Sequence, residues 1–188
     1  MTRSVYIIGG AGTGKSTLMG ELLEGHTLGS LEDLHSKPNS RGTVITLRGH
    51  QVDSDGMYLG CMRDSFPGTD GLDRVSYIPG EEWLETSILP SWIIAEGATL
   101  AARRFIRVLH ATTDLLLVHL VADEFVVELR CMERGSKQDE KFVTGTTTRS
   151  FNLAHDMSKE GVQVWTVDTA SPEECRQAGD IIREHLQI

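Results

Sequence analysis

Short apolar runs alternate along the chain with longer stretches in which apolar residues recur at helical spacing. The apolar runs predict strands at 5–8, 43–52, 56–63, 91–97, 114–122 and 162–169. Helices are predicted over 15–23, 81–90, 100–111, 123–135 and 147–159, with a last one that begins at Pro172. Such alternation is typical of an α/β fold, a parallel sheet covered by helices on both faces. The two strands joined around DSDG read as a hairpin insertion.

Capping residues predict where two of these helices begin. Asp123 stands at the N-cap of a helix that runs into Gly135, and Ser171 precedes Pro172, the first residue of the last helix. Between these helices, the segment 136–149 is polar and is predicted to be mobile. No shift in composition marks a domain boundary. We therefore expect one domain over residues 1–188, with a lid region around 123–149.

The first predicted strand leads into a glycine-rich stretch, YIIGGAGTGKSTLM at residues 6–19. Gly9, four further residues and then Gly14, Lys15 and Ser16 match the phosphate-binding loop, with a strand before it and a helix after it. In such a loop, backbone N–H groups surround the phosphates, the lysine neutralises the β and γ oxygens, and the serine hydroxyl ligates Mg²⁺. The predicted ATP-binding residues are Gly10, Ala11, Gly12, Thr13, Gly14, Lys15, Ser16 and Thr17.

Composition narrows the class of protein further. The formal net charge of −9 disfavours broad nonspecific binding of nucleic acid, although a local basic groove is compatible with a DNA substrate. No apolar run reaches the roughly eighteen residues that a membrane span needs, and the N-terminal segment reads as a strand entering a loop rather than a signal peptide. The three cysteines lack metal spacing and predict reduced thiols. We expect a cytoplasmic protein.

A phosphate-binding loop indicates nucleotide binding without choosing among a switch, a motor and a kinase. The chain has no NKxD-type segment for reading guanine and is small for a motor, which favours a kinase. Glu96 ends an apolar strand at the sheet edge where ligands collect. A carboxylate there either holds the magnesium shell or acts as the general base. Asp70, in the glycine- and aspartate-rich loop 59–73, is the other candidate for the general base, and both assignments stay open.

Clustered cations predict a lid over the phosphoryl group. Arg130 and Arg134 lie four residues apart on one face of a predicted helix. In small kinases a mobile lid carries such cations onto the transferring group and excludes water. We therefore predict that both arginines are catalytic, together with Lys15. The alternative is a solvated helix face on which they pair with nearby glutamates.

The acceptor is expected beside the Glu96 strand. The loop 59–73 lies in sequence between the phosphate-loop helix and that strand, and the helix after Glu96 is rich in arginine. An arginine there can clasp an anionic acceptor, and an aspartate can accept a proton from an attacking hydroxyl. The candidate acceptor-binding residues are Arg63, Phe66, Thr69, Asp70, Arg103 and Arg104.

These parts together resemble a known class of enzymes. The phosphate loop, the Glu-ended strand, the arginine-bearing segment and the closing strand VQVWTVDT resemble the nucleoside monophosphate kinase-like branch of P-loop kinases over nearly the whole chain. More narrowly, YLGCMRDSFPGTDGLD followed by EEWL and IIAEG is similar to phage-borne P-loop kinases that phosphorylate 5-hydroxymethyluracil in DNA. The shared residues are Leu59, Gly60, Arg63, Phe66, Gly68, Thr69, Asp70 and Leu72, while Asp73 stands where that family commonly has serine.

The resemblance implies a P-loop NTPase fold with a mobile lid, ATP as donor, and Mg²⁺ held at Ser16 and Glu96. The expected reaction moves the γ-phosphoryl group of ATP to a nucleotide-type acceptor, the 5-hydroxymethyl group of 5-hydroxymethyluracil in phage DNA. A phage protein of this kind would act in the host cytoplasm. One alternative is a deoxynucleoside monophosphate kinase of the thymidylate or adenylate kinase type. A second alternative is a nucleotide-gated binding module without transfer chemistry.

Overall fold

The computed structural model describes residues 1–62, 68–133, 135 and 140–188. Its strands are β1 (Arg3–Gly9), β2 (Leu28–Pro38), β3 (Val44–Val52), β4 (Gly56–Leu59), β5 (Trp92–Glu96), β6 (Asp114–Val121) and β7 (Gln163–Asp168). Its helices are α1 (Lys15–Leu23), α2 (Tyr77–Thr86), α3 (Arg103–Thr112), α4 (Glu124–Glu133), α5 (Glu140–Lys159) and α6 (Pro172–Leu186), and a short 3₁₀ turn spans Thr69–Gly71.

The strands form one sheet in the order β2-β3-β4-β5-β1-β6-β7. From β4 to β7 in this order the strands are parallel, whereas β3 runs antiparallel to both of its neighbours. The predicted α/β fold, including the hairpin between β3 and β4, is therefore confirmed. Because β1 lies between β5 and β6, the loop that follows Gly9 has one of these strands on either side.

Helices cover both faces of the sheet, and neighbouring residues of β1 point into opposite layers. Tyr6 belongs to the core cluster that includes Phe105 of α3 and Met157 of α5. Ile7 belongs to the cluster on the other face, with residues of α1 and α6 such as Leu22 and Ile182. Burial on both faces explains why the strand reads as a continuous apolar run. Each such side chain stabilises the fold by about 1.5–3 kcal/mol, so the base of the glycine-rich loop is firmly anchored.

Among the described residues, the strand β2 was not predicted by the apolar pattern. β2 pairs with β3 at the edge of the sheet, for example Lys37 opposite Ile45, and most of its residues are exposed. Its leucines, Leu28, Leu31 and Leu34, recur every three residues instead of every two, so they give no strand-like alternation. Polar side chains also protect an edge strand from pairing with other chains.

The segment predicted to be mobile is largely helical. α5 begins at Glu140, not near residue 147, so 140–149 forms its first half, while 136–139 lie outside the described residues. Two threonine hydroxyls on this half, those of Thr146 and Thr147, donate to the Val143 carbonyl. The sequence did not predict a helix here because threonine is a weak helix former. Packing of the second half against the core supplies the stability that local propensity lacks.

Other helix boundaries follow the sequence more closely. The Asp123 carboxylate accepts the Phe125 N–H at 2.9 Å, and the Ser171 hydroxyl accepts the Glu174 N–H at 3.2 Å, so both predicted caps are confirmed. α2 spans 77–86 instead of 81–90, because Pro79 fits the first turn of a helix, where its missing N–H is not needed. None of the helices in the described ranges combines the length and hydropathy needed to cross a membrane.

Candidate functional site

The glycine-rich loop joins β1 to α1 in the geometry that its sequence predicts. Gly14 is the N-cap of α1 with φ of 87°, a left-handed conformation that glycine adopts without strain. The Lys15 ammonium donates to the carbonyls of Gly9 at 3.1 Å and Gly10 at 2.9 Å, and so lies folded against the loop. The Thr13 hydroxyl donates to the same Gly10 carbonyl at 2.9 Å. These contacts hold a compact loop beside the first turn of α1.

Glu96 stands beside this loop at the carboxyl end of β5. The parallel pairing of β5 with β1 sets it opposite Ile7, two residues before the loop begins. The Ser16 hydroxyl donates to Glu96 Oε1 at 3.1 Å, and Glu96 is only 2% exposed. Burial raises the pKa of Glu96 to about 7, while Lys15 and the Ser16 hydrogen bond lower it and the Asp70 charge raises it. A buried carboxylate next to a serine and a lysine thus faces the loop.

Asp70 lies near Glu96 on the 3₁₀ turn. Its Oδ1 accepts the backbone N–H of Ala98 at 2.7 Å, which ties the turn to the chain just after β5. Asp70 is exposed, and its Oδ2 makes no hydrogen bond within the described part of the chain. The predicted neighbours Arg63 and Phe66 lie outside the described residues.

Thr69, the residue before Asp70, is enclosed by the fold. Its side chain is fully buried, and its hydroxyl lies 3.4 Å from the Tyr6 hydroxyl, which itself donates to the Gly97 carbonyl at 3.2 Å. These contacts support the turn that carries the exposed Asp70. The acceptor role of Thr69 stays a prediction.

A cavity of about 310 Å³ opens on the β7 side of the loop, between α1 and α6. Arg130 of α4 lines it and donates to the Thr169 carbonyl at 2.7 Å, the Thr169 hydroxyl at 3.0 Å and the Gly12 carbonyl at 3.4 Å. Glu96 and Asp70 lie on the other side of β1, at β5. Arg130 thus contacts the loop from the β7 side, and its predicted role at the transferring group stays a prediction. Arg134 lies outside the described residues.

A second cavity, of about 460 Å³, lies between the start of α3 and α5. Arg103, Arg149 and Asn152 line it, and Arg103 forms an ion pair with Asp156 of α5. Its neighbour Arg104 does not line the cavity. The Arg104 guanidinium pairs with the buried Glu81 of α2 at 2.7 Å. Of these two candidate arginines, Arg103 lines the cavity and Arg104 does not, because successive helical residues point about 100° apart. The acceptor role of either residue stays a prediction.

α5 touches the glycine-rich loop directly. The Ala11 N–H donates to the Thr146 hydroxyl at 3.1 Å, and a Cβ on Gly10 would overlap the Thr147 hydroxyl. Sequence reasoning did not select either threonine. The sequence feature that could have indicated them is the run of three threonines, Thr146, Thr147 and Thr148. Threonine is a weak helix former, so a run of threonines within a helix suggests a role other than helix formation. The predicted lid region therefore includes a helix packed on the loop.

The residues beside the loop suit Mg²⁺. The Ser16 hydroxyl and the Glu96 carboxylate are oxygen ligands, and Mg²⁺ usually takes one or two protein oxygens and completes its octahedron with phosphates and water. Within the described ranges no group of three or more His, Cys, Asp or Glu side chains could enclose a metal by itself. This donor set fits an ion that arrives with a phosphorylated ligand.

Comparison with known proteins identifies the class. No curated protein matches the chain. Among solved structures, an unliganded sugar kinase from Janibacter sp. HTCC2649 is similar over 100% of this chain and 96% of its own, with 17% sequence identity and a TM-score of 0.44. Residues 1–183 match the family described as P-loop Nucleotide Kinase3. That match spans the glycine-rich loop, Glu96 and both cavities, so the chain belongs to the P-loop Nucleotide Kinase3 family and is a P-loop kinase.

Proposed function

We propose that this kinase transfers the γ-phosphoryl group of ATP to the 5-hydroxymethyl group of 5-hydroxymethyluracil in DNA. The acceptor oxygen forms a bond to the γ-phosphorus, the bond from that phosphorus to the β–γ bridging oxygen breaks, and ADP leaves. The hydroxyl proton passes to a carboxylate. The observation that carries the proposal is the accessible Asp70 beside Glu96 on the β5 side, because a hydroxyl acceptor needs a base.

The donor lies across the glycine-rich loop in this proposal. Lys15 exchanges its loop carbonyls for β and γ oxygens, and the cavity on the β7 side receives the base. Ser16 and Glu96 would hold Mg²⁺, which when bound would neutralise charge on the phosphates. This orientation directs the γ-phosphate toward β5, where the second carboxylate, Asp70, remains to orient or deprotonate the acceptor. We assign Asp70 as the general base and Glu96 as a ligand of the metal ion.

The identity of the acceptor rests on the segment 59–72. Its resemblance to kinases of 5-hydroxymethyluracil in DNA includes Asp70, which the structure ties to the chain after β5. A base stacked in a duplex is not accessible for in-line transfer, so the modified base must leave the stack or be met in single-stranded DNA. The formal charge of −9 confines DNA contacts to local cations such as those of the cavity between α3 and α5.

A second candidate function is supported by that same cavity. Arg103 and Arg149 are suited to clamp a phosphate, as the acceptor of a deoxynucleoside monophosphate kinase requires. Such an acceptor has no hydroxyl proton to remove, so its transfer would depend on these arginines more than on Asp70.

One labelling experiment separates the candidates. Enzyme and γ-labelled ATP are incubated with Mg²⁺ and, separately, with free deoxynucleoside monophosphates, unmodified DNA and DNA that contains 5-hydroxymethyluracil. We expect label on the modified DNA alone. Label on free nucleotides establishes the monophosphate kinase instead. Label on none of them contradicts the proposed acceptor.

Two neighbouring arginines provide a matched pair for the acceptor site. Arg103→Ala removes a cation that lines the cavity, whereas Arg104→Ala removes one that pairs with Glu81 outside it. We expect Arg103→Ala to raise the acceptor KM at least about tenfold and Arg104→Ala to change it less than about threefold. Equal effects of the two substitutions would remove the cavity from the acceptor site.

A further inference from the structure

The contact between α5 and the glycine-rich loop is made by one hydroxyl with two hydrogen bonds. Thr146 Oγ1 donates to the Val143 carbonyl at 2.9 Å and accepts the Ala11 N–H at 3.1 Å. The first bond fixes the hydroxyl proton within the helix, so a lone pair is directed at Ala11. Thr146 is half-buried, while Thr144 one half-turn earlier is exposed.

The backbone of α5 comes close to the loop at the same place. A Cβ on Gly10 would lie 3.2 Å from Thr147 Cα, so a side chain on Gly10 would require the loop or the helix to shift by a few tenths of an ångström. The loop and the helix are therefore fitted to each other over Gly10 and Ala11. Ala11 and Thr146 are 135 residues apart in the sequence.

The other end of α5 is anchored in the core. Leu153 and Met157 are buried in the core cluster that α5 shares with α3 and the sheet. Arg149 lies between these two attachments, three residues after Thr146, and lines the cavity between α3 and α5. In the described residues Arg149 has no ion-pair partner and is exposed, so the position of α5 sets the region that its guanidinium can reach.

We propose that Thr146 is a positioning residue that ties α5 to the loop and thereby places Arg149 and the cavity wall in register with the bound donor. The loop holds the donor phosphates, and the hydrogen bond from Ala11 transmits its position to α5. A transfer reaction is sensitive to such placement because the reacting groups must be held in line at close distance. The role assigned to Arg149 rests on the cavity being the acceptor site, as proposed above.

The first test compares three substitutions on α5. Thr146→Val keeps the shape and removes the hydroxyl, Thr146→Ser keeps the hydroxyl, and Thr144→Val is the control on an exposed threonine. We expect Thr146→Val to lower turnover at least about tenfold with the KM for ATP changed less than about threefold, and Thr146→Ser to restore most of the rate. Thr144→Val should match wild type. Equal rates for the valine and serine variants would overturn the proposal.

Hydrogen exchange gives a readout that needs no acceptor. In Thr146→Val, with and without bound ADP, the Ala11 amide and the helix segment 143–150 should exchange at least about tenfold faster than in wild type, and Thr146→Ser should not. Unchanged exchange in Thr146→Val would show that the hydrogen bond does not hold the helix.

A double substitution tests whether Thr146 acts through Arg149. If it does, adding Thr146→Val to Arg149→Ala should cause little further loss of turnover, because the charge to be placed is already absent. If the losses of turnover from the two substitutions multiply, Thr146 does not act by placing Arg149.

The single variants distinguish the two proposals. If Arg149→Ala alone has no effect on turnover while Arg103→Ala does, the cavity remains the acceptor site and the positioning proposal fails. If neither has an effect, the acceptor site itself is misassigned.

Discussion

At the scale of single residues, two carboxylates of the same charge share one edge of the sheet in different environments. Glu96 is buried and bonded to Ser16, whereas Asp70 is exposed and held by a backbone N–H. The Asp70 charge is among the causes that raise the pKa of Glu96. Groups of one type placed in such different surroundings usually have different tasks.

Glu96→Gln and Asp70→Asn should therefore give different kinetics. Loss of the general base at Asp70 should lower kcat by about 10²–10⁴-fold with little change in the affinity for ATP. Glu96→Gln should also raise the Mg²⁺ concentration needed for half-maximal rate. Steady-state assays over a Mg²⁺ titration measure both effects. Changes of less than about threefold in both variants would contradict both assignments.

Glu96 also makes stability depend on pH in the protein without nucleotide or metal. Its pKa is about 7 in the fold and 4.5 as the ordinary value, so the folded protein binds this proton more tightly than the unfolded chain. The contribution of the protonated Glu96 carboxyl group to the free energy of unfolding is fully present below pH 4.5 and is lost as the pH rises through about 7. At pH 8, Glu96→Gln should exceed wild type in unfolding free energy by up to about 3 kcal/mol, an advantage that shrinks as the pH falls.

Urea unfolding at a series of pH values measures this trend. Glu184→Gln, at an exposed site on α6, controls for the loss of a carboxyl group. A constant difference between wild type and Glu96→Gln across the pH range would show that the carboxylate is not destabilised by burial.

At the scale of elements, α4 and α5 bring side chains of the predicted lid region to two different cavities. α4 brings Arg130 to the cavity on the β7 side, and α5 brings Thr146 to Ala11 and Arg149 to the cavity between α3 and α5. Arg130 is thus separated from the cation that α5 contributes.

This separation changes the effect expected for Arg130. Its guanidinium joins the Gly12 carbonyl to Thr169 at the wall of the proposed base cavity. We expect Arg130→Ala to weaken ATP binding at least about tenfold, and Arg130→Lys to recover it only in part, because lysine lacks the planar fork. Calorimetric titration with a nonhydrolysable ATP analogue measures the affinity. A loss of turnover by about 10²-fold with unchanged affinity for ATP would instead indicate that Arg130 acts at the transferring phosphoryl group.

At the scale of the whole molecule, the position of β1 within the sheet organises the site. β5 and β6 flank it, and the carboxylates lie at the β5 side of the loop. The cavity of α3 and α5 lies among the helices of one sheet face, and the cavity of α1 and α6 among those of the other. A nucleotide bound across the loop contacts both halves of the fold, so its binding should stabilise the entire domain.

Saturating ATP with Mg²⁺ should raise the melting temperature by about 5–10 °C. At a ligand concentration of about one hundred times Kd the gain is about 2.7 kcal/mol, and a domain of this size shifts by about 2–4 °C per kcal/mol. Differential scanning fluorimetry measures the shift. Lys15→Ala should abolish most of it while melting normally without ligand. A normal shift in Lys15→Ala would contradict the proposed contact of Lys15 with the phosphates.

The sequence by itself determined the features that rest on local spacing. The strand, glycine-rich loop and α1 follow from residues 5–23, and Glu96 was found because it ends a fully apolar strand. Both helix caps were predicted, since a cap depends on residues two or three positions apart. These features need no knowledge of which elements pack together.

Only the tertiary structure decided which side chains meet. Arg103 and Arg104 are adjacent in sequence, yet one lines a cavity with α5 and the other pairs with α2, because the helix turns them apart. The polar strand β2 and the first half of α5 are held by their neighbours and not by apolar periodicity. The contact of Ala11 with Thr146 joins residues 135 positions apart, a distance over which spacing carries no information and only packing brings atoms together.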